Sequence, residues 1–483
     1  MAIPAADQLL RSLWVSGEKA FQNATEIYES SLAQPPTPQN FAAGAFADNQ
    51  ATSTIDSFNP QTGRSYLRVP NSSPSEVDCA VLAAHEAFQT WSKTSKSARS
   101  KLLNRVADLI AGRRDAFAAW ESIDQGKTFA RAKVEIDRAV SNFRYFAGYI
   151  LHDEAAARFT DDDILCYEHR SPLGVFALIS PWNMPLYLLT WKIAPCLAFG
   201  ATCVAKPSEL TSMTAFLLAD VFRMAGIPNG VVNIVFGAGL PTGSALVQHK
   251  LVRGVSFTGG TATGLKIRKS PLTTLGSIYH LNLGTAAAAA LENQGEICLC
   301  GSRIYVENSI YNDFIARYTS HVSETYRVKE RVGAVVSLGH YNKIRGYLEL
   351  AQQEGADFKL GTVPTSDPPE GYWIEPTILT GLQTSSTVLR DEMFGPVVTV
   401  SPFGDEDEAV RLANDNPNGL AAVVLTRDGA RMRRVGEQLE AGMVWINCWL
   451  VRQLATPPGT GREGGAYSRD VFTVGRTLHI PMQ

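Results

Sequence analysis

The alternation of apolar and polar positions divides the chain into three rhythms. Residues 1–40 carry little regular pattern and end in "AQPPTPQN", a proline-rich stretch that reads as a linker. They are expected to form a poorly ordered, mobile N-terminal extension. Order should begin near Asn40 with short strands through "TIDSFNPQTG". Beyond it Val77, Val81, Ala84, Phe88 and Trp91 recur at helical spacing, as do Leu102, Leu103, Val106, Leu109 and Ile110. Two amphipathic helices follow from those positions.

From Gly174 to Gly284 the rhythm changes. Fully apolar runs such as "GVFALIS", "TCVAKP", "VVNIVFG" and "GVSFTGG" alternate with helical segments such as "LLTWKIAPCLAFG" and "TAFLLADVFRMAG". Strands without polar alternation, separated by helices, predict a parallel sheet covered on both faces. Such sheets bind ligands at the carboxyl ends of their strands. The polar punctuation lies there: "PWN" at 181–183, "KPSE" at 206–209, "FGAG" at 236–239 and "TGGT" at 258–261. A second α/β rhythm begins at Gly301, with helices around Ile310 to Tyr326 and Ile344 to Gly355. The tail "FTVGRTLHIPMQ" alternates as a half-buried strand does, and "ILCYEHR" has the character of an exposed edge strand.

Composition narrows the function classes. A chain of 483 residues exceeds one core, so two or three domains are expected. With 44 Lys+Arg against 47 Asp+Glu, it lacks the basic footprint of a nucleic-acid binder. Its longest apolar runs are too short to span a bilayer, and its first residues do not resemble a signal peptide. Seven cysteines without a repeated spacing argue for a reduced, cytoplasmic setting, and no histidine–cysteine constellation suggests a metal.

Several residues could carry chemistry. Cys298 in "NQGEICLC" follows a glycine turn and is a candidate nucleophile; the plain alternative is a buried small hydrophobe. Asn183 in "SPWNMP" could donate to an oxyanion, or simply make a turn. Lys206 and Glu209 in "AKPSE" could meet ribose hydroxyls, or line a solvated loop. "FTGGTATG" could bring main-chain N–H groups and a helix start to a pyrophosphate, although it is no G-x-G-x-x-G fingerprint.

In order, PWN, KPSE, FTGGT, NQGEIC, EMFGP and WINCW closely resemble the NAD(P)-dependent aldehyde dehydrogenase superfamily, from Asn40 almost to the end. Within it, "ISPWNMPLYLLTWKIAP", "DQGKT", "NQGEICLC" and "NCWLVR" are most similar to a branch that oxidises carboxylated semialdehydes. The resemblance implies an α/β aldehyde dehydrogenase fold. A Rossmann-like NAD-binding domain would span 41–151 and 172–283, a shortened catalytic domain 284–465, and a small oligomerisation arm 152–171 and 466–483. The partners implied are an aldehyde and a second copy of the chain, in a homodimer or homotetramer.

It also implies roles. Cys298 would attack the aldehyde, with Asn183 and the Cys298 N–H holding the oxyanion. Ser180, Pro181, Trp182, Lys206, Ser208, Glu209, Gly237, Gly259 and Gly260 would line the cofactor cleft. Glu209 would favour NAD by repelling a 2′-phosphate. Glu392 would bind the nicotinamide ribose, with Phe394 near the ring. Arg452 and Arg138 would clamp a substrate carboxylate, for which a guanidinium fork is suited.

The chain also departs from the family pattern. Where the family has L-E-L-G-G, the sequence reads "LNLGT", with Asn282 in place of the general-base glutamate. An amide cannot take that proton near neutral pH, so general-base help, roughly 10²- to 10⁴-fold, should be lost. The segments before Cys298, in "YRVKERVGAVVS" and in "TPPGTGREGG" are shorter than the family's. Glu463 and Lys192 match a second glutamate and a lysine that relay protons, so Glu463 is expected to act as a weaker base. The alternative is an inactive homologue, or a mispredicted gene model, that keeps NAD binding or oligomerisation.

Overall fold

The computed structural model describes residues 5–17, 19–47, 53–160, 163–260, 263–264, 283–368, 370–416, 419–451 and 464–481. The amino-terminal extension departs from its expectation. It contains two helices, α1 (Ala5–Leu13) and α2 (Ala20–Ser31), that pack on the main core through Ala6, Leu10, Leu13, Ala24 and Tyr28. Trp14 Nε1 donates to Asp220 at 3.0 Å, and Trp120 Nε1 donates to the Leu13 carbonyl at 2.8 Å. Leu9, Leu10, Leu13 and Trp14 recur at helical spacing, as do Phe21, Ala24 and Tyr28, a stripe that the proline-rich stretch behind it led the sequence reading to pass over.

Short strands β1 (Phe41–Ala42) and β2 (Ala45–Phe46) precede a hairpin of β3 (Thr54–Asn59) and β4 (Arg64–Pro70). The predicted amphipathic helices are α3 (Pro74–Trp91) and α4 (Lys96–Ala111). A capping box at Ser73 and Glu76, with Pro74 in the first turn, starts α3, and Ser95 caps α4. Helix α5 (Arg114–Gln125) ends on Gly126 at φ +91°, where a Cβ would lie 2.5 Å from the Ala334 carbonyl oxygen. Thr128 then caps α6 (Phe129–Tyr149).

After β5 (Ala157–Phe159) and β6 (Ile164–Pro172) comes the predicted parallel sheet. Strand β7 (Val175–Ile179), α7 (Pro185–Ala198), β8 (Thr202–Lys206), α8 (Met213–Ala225), β9 (Val232–Ile234) and β10 (Val252–Phe257) follow in turn. The order is β10-β7-β8-β9-β1-β2, parallel from β10 to β9 and antiparallel at β1 and β2. Every residue of β7, β8 and β9 is buried, as expected of strands covered on both faces.

Five consecutive alanines, at 286–290, lie in the next described helix. Leu283–Leu291 is a helix that buries Ala286, Ala287, Ala289 and Ala290. Alanine has the highest helix propensity, and its small side chain allows close packing. A second sheet joins β11 (Arg303–Glu307), β12 (Asp357–Leu360), β13 (Thr377–Thr380) and β14 (Val397–Phe403) in the order β11-β14-β13-β12. Strands β15 (Ala422–Val424) and β16 (Val444–Ile446) pair in parallel.

The tail forms β17 (Thr473–Pro481), antiparallel to β6 over nine residue pairs. Because β17 and β5 flank it, β6 is the central strand of a three-stranded sheet, not the exposed edge its sequence suggested. Its half-polar composition reflects a thin sheet with solvent nearby. Among the described residues, no helix is long and apolar enough to cross a membrane.

Candidate active site

The site forms where the carboxyl ends of the parallel strands meet the turn before Cys298. Ser180, Pro181, Trp182 and Asn183 follow β7, and Lys206 ends β8. Buried Lys206 donates to the Gly237 carbonyl at 2.6 Å and the Pro207 carbonyl at 3.0 Å, and lies 3.5 Å from Glu209. Burial lowers the Lys206 pKa, and Glu209 opposes that shift. Gly237 has φ +149°, and a Cβ there would sit 2.0 Å from the Thr242 hydroxyl. Ser208 is buried and its hydroxyl accepts from Leu210 N at 3.3 Å.

These residues fit a dinucleotide. The Ser180 hydroxyl is buried and has no hydrogen-bond partner among the described residues. The Cβ position of Gly260 meets only open space, and its carbonyl accepts from Thr263 N and Gly264 N, at 3.0 and 3.1 Å. Gly259 lies beside it, where a Cβ would press on the Phe257 ring at 2.6 Å. The Trp182 and Phe394 rings meet edge to face at 5.5 Å, with His340 beside both at 5.2 and 6.2 Å. Glu392 is exposed just before Phe394, and its carbonyl accepts from Lys343 at 2.9 Å.

Cys298 is half-buried at the border of an apolar cluster holding Met184, Tyr187, Trp191 and Leu299. Desolvation pushes the neighbouring Cys300 thiol up to about 12, so it stays protonated at neutral pH. The turn before Cys298 is unusual. Asn293, Gln294 and Gly295 all have left-handed φ, at 54°, 46° and 73°. A side chain at Gly295 would collide with the Gly395 carbonyl.

Asn183 reaches this turn across more than a hundred residues of sequence. Its Nδ2 donates to the Glu296 carbonyl at 2.9 Å. Its own carbonyl accepts from Lys127 Nζ at 3.1 Å and Asn293 Nδ2 at 3.2 Å. One N–H of the amide is thus bound to the cysteine turn, and the second remains available by valence. Trp449, from "NCWLVR", donates to the Leu299 carbonyl at 2.9 Å and brings that segment beside the same turn.

Sequence reasoning missed the group beneath. Lys127 has no exposed side chain; it pairs with Glu135 and lies 3.9 Å from Glu121. Glu296, equally buried, accepts from Gln125 at 2.6 Å, Gln294 at 2.9 Å and Val336 N at 3.1 Å. Burial pushes the Glu296 carboxyl up to about 8 and Glu121 up to about 7, with Lys127 opposing both. His340, 3.6 Å from Glu296, is held down at about 4 by burial, so its neutral ring donates from Nε2 to the Phe394 carbonyl at 2.7 Å. The signal was present as the polar run in "WESIDQGKTF", of which the sequence reading used only "DQGKT", as part of the resemblance.

The remaining candidates lie on α6 and α7 or are not described. Lys192 is buried in α7 and donates to Ser256 on β10 at 2.9 Å. The half-buried Arg138 on α6 stands over the Tyr187 ring, 5.7 Å from its centre. Asn282, Arg452 and Glu463 lie outside the described residues. All seven cysteines are free thiols, and no group of three or more metal-binding side chains occurs among the described residues.

Comparison with known proteins agrees with this geometry. A family model described as the aldehyde dehydrogenase family matches residues 46–477. The 2-aminomuconic semialdehyde dehydrogenases of Danio rerio and Homo sapiens are 44% and 42% identical, each alignment covering 92% of this chain and 98% of the relative. The crystal structure of HpcC from Thermus thermophilus superposes with a TM-score of 0.89 at 34% identity, covering 96% of both chains. A Bacillus cereus aldehyde dehydrogenase solved with NAD+ gives a TM-score of 0.89 at 30% identity, over 94% of this chain and 98% of that one. The sheet order, the buried Asn183–Glu296 link and these matches agree: the chain belongs to the aldehyde dehydrogenase family.

Proposed function

We propose that the chain oxidises a carboxylated semialdehyde, of the 2-aminomuconic semialdehyde kind, to the acid with NAD. The observation that carries this reading is the hydrogen bond from the Asn183 amide to the carbonyl two residues before Cys298. It gathers a thiol and an amide donor at one mouth of the parallel sheet.

The Cys298 sulfur would add to the aldehyde carbon, forming the S–C bond as the carbonyl electron pair moves to oxygen. The Asn183 amide and the Cys298 N–H would steady that oxyanion. Bound NAD would supply the hydride acceptor that allows this carbon to become a thioester. Water then attacks the thioester, the C–S bond breaks, and the acid leaves Cys298 as a thiol. With an amide at 282, the proton of that water would pass to Glu463, with Lys192 in the relay.

Lys206 and Glu209 would hold the adenosine ribose, and Glu209 would disfavour a 2′-phosphate, so NAD is the cofactor of choice over NADP. Ser180 and Gly260 would line the cleft, with Trp182, Glu392 and Phe394 at its nicotinamide end. Arg452 and Arg138 would receive the substrate carboxylate. The sheet β17-β6-β5 would form the arm of a homodimer or homotetramer. Exposed Phe159, Val474, Leu478 and Ile480 lie on its strands.

A second reading, a homologue that binds NAD without turnover, is favoured by Asn282 in place of a carboxylate. Following reduced-cofactor absorbance with a panel of aldehydes, against a Cys298→Ala control, separates the two. Cofactor reduction that is lost in the control supports the enzyme. Tight NAD binding with no reduction for any aldehyde supports the second reading.

A further inference from the structure

We propose that Glu296 is a positioning residue that fixes the Cys298 turn, the Asn183 amide and the Phe394 shelf as one unit. The inference rests on the proposed role of Cys298.

The turn requires a device of this kind. Two consecutive non-glycine residues, Asn293 and Gln294, hold left-handed φ, and Phe394 does so at 60°. Such conformations are disfavoured for non-glycine residues and persist only where surroundings enforce them. Glu296 meets the turn and Asn183 directly, and reaches Phe394 through His340. Its carboxyl accepts from Gln125 at the end of α5, from Gln294 in the turn and from Val336 N before the helix Leu338–Gln353. Its main-chain carbonyl accepts the Asn183 amide. His340 stands 3.6 Å from its carboxyl and donates to the carbonyl of Phe394.

A carboxyl group is suited to this place because all three side-chain contacts are donors, and whether ionised or carrying a proton it keeps acceptor capacity on both oxygens. It offers two acceptor oxygens, whereas a glutamine offers one acceptor and two donors. A glutamine would leave a donor without its partner unless Gln125 or Gln294 turned its amide over. An alanine would leave all three donors unmet in a buried pocket. Lys127 and His340 are the titratable groups that face Glu296, and neither donates a hydrogen bond to its carboxyl among the described contacts.

The test compares Glu296→Ala and Glu296→Gln with the parent, using kcat, both KM values and the peptide-resolved rate of Cys298 alkylation by iodoacetamide. Glu296→Ala is expected to lower kcat about 100-fold with KM changed less than about threefold, since misplacing reacting groups costs the chemical step. The alkylation rate should shift at least about fivefold, and Glu296→Gln should recover part of the lost kcat, ending about three- to tenfold below the parent. A Glu296→Ala enzyme with kcat and alkylation within about twofold of the parent overturns the proposal. If Glu296→Ala does not fold, Glu296→Gln decides: a kcat loss of about three- to tenfold supports it, and a loss under about twofold overturns it. A Cys298→Ser enzyme that still oxidises aldehydes defeats the nucleophile reading instead, and the alkylation rate then judges the role of Glu296 in holding the turn.

Discussion

The two walls of the candidate site are built on opposite principles. On the proposed cofactor wall, Lys206 and Glu209 lie three residues apart, and Lys206 is held by the carbonyls of Pro207 and Gly237 at adjacent strand ends. On the cysteine wall, each contact joins distant segments: Gln125 to Glu296, Lys127 to Asn183, Asn183 to Glu296. The first wall follows from the sheet almost automatically, because successive parallel strands deliver their carboxyl ends to one edge. The second requires charged groups to be buried together, where each depends on the others. The cofactor wall should therefore tolerate substitution residue by residue, while the cysteine wall should fail as a unit.

The sharpest cut is at the thiol. Cys298→Ala should lower aldehyde oxidation by about 10³-fold or more while NAD affinity stays within about threefold. Equal loss of both in turnover and equilibrium-binding assays would mean that the walls are not separable. Next, Lys127→Met removes the cation between Glu121 and Glu135, both without solvent exposure. Breaking such a group should cost about 3–5 kcal/mol in urea unfolding. The same change at Lys206 should cost clearly less, and equal costs would erase the contrast.

On the cofactor wall, Glu209→Gln should shift kcat/KM for NADP relative to NAD upward by about tenfold, worth about 1.4 kcal/mol. Unchanged preference would remove Glu209 from cofactor choice.

The smallest effect is a pH dependence of stability. Burial raises Glu296 to about 8 from an ordinary value of 4.5. The folded protein therefore binds a proton that the unfolded chain has released, and stability must fall as pH rises between those values. The contribution is fully present below 4.5 and lost as pH passes through about 8. His340, lowered to about 4, works in the opposite sense, adding stability as pH rises towards 6.5. Between pH 6.5 and about 8 the Glu296 effect stands without it. Glu296→Gln should flatten the fall in melting temperature there by a few degrees. Parallel curves for parent and variant would show that the carboxyl is not protonated in the fold.

Legibility followed the same division. The strands β7 to β10 were readable because short, fully apolar runs have few other homes. The helices α3 and α4 were readable from their helical stripes. The cysteine turn was visible as a motif, yet Glu296 within it passed as an ordinary acid, because sequence does not show burial. Helices α1 and α2 were missed although Leu9, Leu10, Leu13, Phe21 and Tyr28 carry a helical stripe, because a short stripe ahead of a proline-rich stretch does not say whether a core lies within reach to receive it. The place of β6 in its sheet was misread because half-buried alternation is shared by edge strands and by central strands of thin sheets.

By itself, then, the sequence determined the parallel sheet, the end of it at which chemistry would gather, and the thiol and amide offered there. Those features depend on local periodicity and on residue chemistry, both of which are written along the chain. Only the tertiary structure decided that Asn183 meets the turn before Cys298, that Glu296 lies beneath it, and that Lys127 neutralises the acids behind. The links from Gln125 to Glu296, from Lys127 to Asn183 and from Asn183 to Glu296 cross roughly 55 to 170 residues of separation, and the energies of all these buried contacts depend on desolvation, which exists only once the chain has closed around them.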